Sequence, residues 1–166
     1  MRYWLAAALL LAAALLQSAV LPSFPIFGAT PNLVLIVLVS WVVLRGQREG
    51  LIVVPLGGLA LGLVDGQPMG VALLAVSPLI LLAEVREARL TESDVLLSIV
   101  MVFVSAMVYE TIFLVTLALR GETVQWWESF FWVTLPVSIV SSLFTPPLYW
   151  LVNWMSRDLR RARSLR

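Results

Sequence analysis

PNLVLIVLVSWVVLRGQREGLIVVPLGGLALGLVDGQPMG, residues 31–70, holds two long apolar runs, a turn carrying Arg45, Arg48 and Glu49, and one aspartate before a Gly-Gln-Pro turn. Neither run has the strict apolar/polar alternation of a barrel strand. Each must therefore satisfy its own backbone hydrogen bonds as a helix wherever it meets hydrocarbon. Outward from this stretch the chain keeps the same character. Of its 166 residues 61% are hydrophobic and 13% charged, and the mean hydropathy is +0.98, against about 45–50% and about 25% in a soluble domain. The sequence predicts an all-α integral membrane protein.

Six apolar segments can be drawn, over residues 3–22, 31–44, 50–64, 70–84, 94–119 and 127–155. Together they form one transmembrane domain, 1–156, followed by a basic tail, 157–166. With about 20 residues needed per crossing, no length is left for a separate soluble domain. The first segment follows Arg2 with an Ala/Leu stretch of secretory-signal character, and we read it as a retained helix.

The arginines give the orientation. There is no lysine or histidine, and all eleven basic residues are Arg. With both termini cytoplasmic, Arg2, Arg45, Arg48, Arg86, Arg89 and the tail arginines Arg157, Arg160, Arg161, Arg163 and Arg166 lie inside, and only Arg120 lies outside. That bias follows the positive-inside rule and requires an even number of crossings. Tyr3, Trp4, Tyr149, Trp150 and Trp154 then sit near the inner interface, and Trp126 and Trp127 near the outer. The tail serves as a topology anchor that also attracts anionic lipid, with docking to a cytoplasmic partner as the alternative.

Segments two to four are short, about 14–15 residues or ~21–22 Å against a hydrocarbon core of ~30 Å. Arg45 and Arg48 hold the inner ends at the surface, so the deficit falls outside and predicts an outward-facing depression. Thr30 and Pro31 read as the cap and first turn of the second helix, and Gly50 and Gly70 open the third and fourth. The last segment is longer than a crossing needs and is expected to tilt, to bend at Pro136 or Pro146-Pro147, or to begin with an interfacial turn.

Few residues can carry chemistry. Without cysteine or histidine, disulfides, thiolate nucleophiles and imidazole bases are excluded. GLVD lacks the Gly-x-Gly-Asp pattern of an intramembrane aspartyl protease, no Gly-rich loop carries a lysine, and no acidic cluster is large enough for a divalent metal. The nucleophile, base and oxyanion donors of an enzyme cannot be assembled, and no cofactor or nucleic-acid partner is expected. Asp65 stands at the foot of the depression, before Gly66, Gln67 and Pro68, as a cap for the next helix or as a ligand or proton carrier. Glu110 lies ~13 Å below the outer end of its helix. Intramembrane carboxylates face a bundle interior or a wet cavity and have partners; Gln17, Ser18 and Asn32 lie at its depth. Gly58 and Gly62 form a small-xxx-small pair, for packing within the chain or with another helix.

The ordered landmarks G-x-x-PNLVLI, LRGQREG and GGLALGLVDGQPMG resemble the rod shape-determining protein MreD family, clearly over about residues 21–75. Pro31, Arg45, Gly50, Asp65, Gly66, Pro68 and Gly70 carry the resemblance, and Asn32 departs from it where the family more often has Asp. The resemblance implies a non-catalytic scaffold of the bacterial elongation complex in the cytoplasmic membrane, supporting cell shape and lateral peptidoglycan synthesis. Its partners would be MreC, a single-helix membrane protein, and through it RodA, a penicillin-binding transpeptidase and MreB. The implied fold is similar to the substrate-binding subunits of energy-coupling-factor transporters, and a vitamin-type binding subunit is the alternative function. For a partner helix the small residues Ala8, Ala12, Gly58 and Gly62 are the expected contacts, with Asn32 and Asp65 shaping the outer rim.

Overall fold

In the computed structural model, residues 2–23, 29–64, 66, 69–80 and 93–161 are described, and they are all-helical. Helix α1 is Arg2–Ala19 and ends in a short 3-10 turn, Leu21–Ser23. Helices α2, Leu33–Arg45, and α3, Gln47–Val64, are joined by Gly46 alone. Helix α4 is Met69–Val76. Helix α5 is Asp94–Leu119, helix α6 runs from Trp126 to Leu143, and helix α7 is Thr145–Arg161.

The centre of the bundle is α2. Every residue from Val34 to Val43 is buried, and the helix packs against α1, α3, α5 and α7. A helix apolar on all sides has no solvent face to present, so it can occupy the middle of a bundle. Between helices in lipid the drive is close packing rather than release of water. The glycines of α3 supply that closeness. A Cβ on Gly57 would fall 2.6 Å from Leu38 Cδ1, and one on Gly50 would fall 3.3 Å from Val42 Cγ2, so this face of α3 rests on α2. Gly58, about 100° further round the helix, faces α4: its Cβ would fall 2.9 Å from Val76 Cγ2 and 3.1 Å from Leu73 Cα.

Several boundaries differ from the sequence expectation. The second helix is capped by Asn32 rather than Thr30, because the Asn32 side chain accepts from Leu35 N; Pro31 consequently precedes the cap. The third helix opens at Gln47 rather than Gly50, because Gly46, at φ 84 and ψ −179, makes the whole reversal in one residue. That conformation is open essentially to glycine alone. Gly46→Ala is expected to cost about 1–3 kcal/mol, read as a lower thermal midpoint in mild detergent; an unchanged midpoint would show that the turn relaxes without glycine.

The fourth segment is interrupted at Ser77, before Pro78, and is helical again over 78–80. Helix α5 runs 26 residues, about 39 Å, long enough to cross a bilayer core of ~30 Å alone. It closes on Gly121, at φ 83, with Glu122 N donating to Leu117 O and Gly121 N to Ala118 O, the paired bonds of a Schellman cap.

The last segment, drawn as one helix over 127–155, is two. Trp126–Leu143 and Thr145–Met155 meet at 47°, since Pro146 and Pro147 have no N–H to continue the ladder. Pro136 is accommodated differently, by a widened π turn over Phe130–Thr134 in which Leu135 N donates to Phe130 O. Among the described residues α5 is long and apolar enough to cross a membrane singly, and the α6–α7 pair passes the same test when taken as one bent span, while Tyr3–Ala19, Leu33–Arg45 and Gly70–Ile80 are shorter apolar helices.

Candidate functional site

The amino end of α2 creates a chemical demand. Its first amides have no carbonyl partners within the helix, and here the end is buried rather than wet. Three side chains from three segments answer. Asn32 Oδ1 accepts from Leu35 N at 3.0 Å, Gln17 Oε1 of α1 accepts from Val34 N at 3.1 Å, and Ser141 Oγ of α6 accepts from Asn32 N at 3.0 Å. Asn32 is 6% exposed and Ser141 fully buried. A buried amide left without a partner costs about 1–3 kcal/mol, so these bonds lock α1 and α6 to the end of α2.

Beside this junction is a cavity of about 260 Å³, lined by Gln17, Thr30, Asn32, Tyr109, Glu110, Phe113 and Val137. Four parts of the chain meet there: α1, the segment before α2, α5 and α6. Thr30 is exposed, Glu110 half-buried and Tyr109 buried, which places the mouth near Thr30. The cavity lies at the end of α2 where the short segments predict a depression. Gln17 and Asn32 share it with Glu110; Ser18 does not line it. Because both carboxamide oxygens are engaged by α2 amides, the groups that Gln17 and Asn32 have left to offer are N–H donors. The cavity thus combines a carboxylate, two carboxamide nitrogens, two hydroxyls and two aromatic rings.

A second concavity, about 440 Å³, runs between α1 and α3. Its walls are apolar: Leu11, Leu15, Leu59 and Leu63 are exposed, and Ala14 and Ala60 are half-buried between them. From Ala7 to Ser18 it follows α1 for roughly 16 Å.

The remaining sequence candidates are scattered. Ala8 and Ala12 are exposed on α1 but do not line this groove. Gly58 and Gly62 are buried inside the bundle, Gly58 against α4. Gly66 is exposed at φ 63, and Gly70 is exposed with open space around it. Arg157, Arg160 and Arg161 fall in the last turns of α7. Asp65, Pro68, Arg163 and Arg166 lie outside the described residues.

Sequence reasoning missed Ser141, although a signal existed. Thr134, Ser138, Ser141 and Thr145 recur at helical spacing, and all four are fully buried. Ser138 Oγ donates to Thr134 O at 2.7 Å and Thr145 Oγ1 to Ser141 O at 3.0 Å, which spends each hydroxyl proton on its own backbone. At the other end of α2, Arg45 lies 5.6 Å over the Trp41 ring, where the helix dipole also favours a cation.

A helix bundle with an apolar central helix, a carboxylate in a small polar cavity, an open apolar groove and a helix long and apolar enough to span a bilayer defines a helical membrane protein. The particular family is shown by comparison: the model of the rod shape-determining protein MreD family matches residues 1–155. The chain belongs to the MreD family, a family of cell-shape determination and not a known enzyme family. No curated protein and no solved structure matches it.

Proposed function

We propose that the protein is a non-catalytic scaffold of the rod complex in the bacterial cytoplasmic membrane, crossing six times with both termini inside. It holds the single transmembrane helix of MreC, and through MreC it is tied to RodA, its transpeptidase partner and MreB in lateral peptidoglycan synthesis. The family match over residues 1–155 carries this reading, and the one-sided arginine distribution supports the orientation.

The α1–α3 groove is the docking surface we assign to MreC. Helix pairs in lipid associate where small residues let backbones approach, and Ala7, Ala14 and Ala60 provide such positions among larger leucines. Ala60→Phe fills the groove from its own wall. It is expected to lower co-purification of MreC about tenfold or more, a loss of about 1.4 kcal/mol, with little change in thermal midpoint. Ala8→Leu, exposed but outside the groove, is expected to leave recovery unchanged. Undiminished recovery with Ala60→Phe would move the MreC surface elsewhere.

A further inference from the structure

We propose that the cavity at the amino end of α2 binds a group in which an ammonium and a phosphate are joined by a short linker, the chemistry of phosphoethanolamine. The inference goes beyond scaffolding and stands on the cavity's own side chains. Glu110 supplies a carboxylate for the ammonium, and Tyr109 and Phe113 line the same cavity with aromatic rings of the kind that attract a cation. The carboxamide nitrogens of Gln17 and Asn32, whose oxygens are occupied by Val34 N and Leu35 N, are donors suited to phosphate oxygens. A lone cation would leave those donors unused, and a lone anion would meet Glu110.

The size agrees. A volume of about 260 Å³ equals the liquid share of roughly eight or nine waters, room for a head group of about eight heavy atoms and too little for a nucleotide. Thr30, exposed at the rim, gives access from the surface. The head group can come attached to a lipid or free.

The experiment is native mass spectrometry of the full chain released from mild detergent, with dioleoylphosphatidylethanolamine or dioleoylphosphatidylglycerol added, then with free phosphoethanolamine. The ethanolamine lipid is expected to be retained about tenfold over the glycerol lipid, with the preference abolished in Glu110→Gln, as loss of one charged contact implies. Displacement of the lipid by phosphoethanolamine identifies the head group as what is read; binding of phosphoethanolamine without the lipid makes the free molecule the source. If Glu110→Gln does not fold, Phe113→Leu keeps the carboxylate and is expected to weaken retention about threefold. Equal retention of the two lipids together with no binding of phosphoethanolamine overturns the proposal, as does unchanged binding in a folded Glu110→Gln or, where that variant does not fold, in Phe113→Leu.

Discussion

Gly58→Leu is expected to prevent formation of a stable bundle. The first carbon of the new side chain would lie 3.1 Å from Leu73 Cα and 2.9 Å from Val76 Cγ2. A rotamer change can move the valine methyl, but the Leu73 Cα is backbone and moves only with α4. Three further heavy atoms then have to enter a contact already closed, so α3 and α4 must separate along their length. Overpacking of a core commonly costs about 1–3 kcal/mol and sometimes more; with backbone as the obstacle, about 3 kcal/mol or above is expected here. The readout is loss of the monodisperse peak in mild detergent and a large fall in thermal midpoint, with Gly58→Ala between this variant and the parent. A Gly58→Leu protein that melted like the parent would mean that α3 and α4 are not packed as described. The same geometry makes Gly58 a poor probe of the proposed MreC contact, because any loss of a partner would follow from a damaged bundle. Ala60 separates the two effects.

Asn32→Leu is expected to be the next most damaging change. Leucine keeps most of the volume and removes the acceptor of Leu35 N. Loss of an N-cap costs about 1 kcal/mol, and a buried amide left without a partner about 1–3 kcal/mol; the two describe one event and do not add. Since Asn32 also anchors α6 through its amide and Ser141, displacement of the cap would carry that contact with it. Asn32→Asp keeps an acceptor, places negative charge at a helix amino terminus where the dipole favours it, and matches the residue expected from the family resemblance. A lowered midpoint for the leucine variant, restored largely by aspartate, is the expected pattern. Equal midpoints for both would show that the side-chain bond does not hold the end of α2.

Much of the polar site was legible. Depth alone grouped Glu110 with Gln17, Ser18 and Asn32, and of these the cavity takes in Gln17 and Asn32 but not Ser18, because depth says nothing of which side of a helix a residue is on. A bend at Pro146-Pro147 was one of the outcomes the sequence left open, since a missing N–H interrupts a helix in any environment, and only the structure chose it over a bend at Pro136. The cap was misjudged by two residues: Thr30 and Asn32 are both competent cap residues, and only the position of Gln17 and Ser141 selects between them. Gly50 and Gly57, spaced seven apart, mark the α2-facing side of α3 as plainly as Gly58 and Gly62 mark another, and nothing local ranks the two faces.

By itself, the sequence determined that this is a helical membrane protein of the MreD family, and that its carboxylate at Glu110 needed polar company. Only the tertiary structure decided that α2 is the central helix, that Gly58 is spent on α4, that Ser141 reaches the end of α2, and that an apolar groove lies open between α1 and α3. The physical reason is the solvent. In water a buried face differs from an exposed one in polarity, and the pattern can be read from the chain. In hydrocarbon both faces are apolar, so burial is settled by which surfaces fit closely and which amides find a partner.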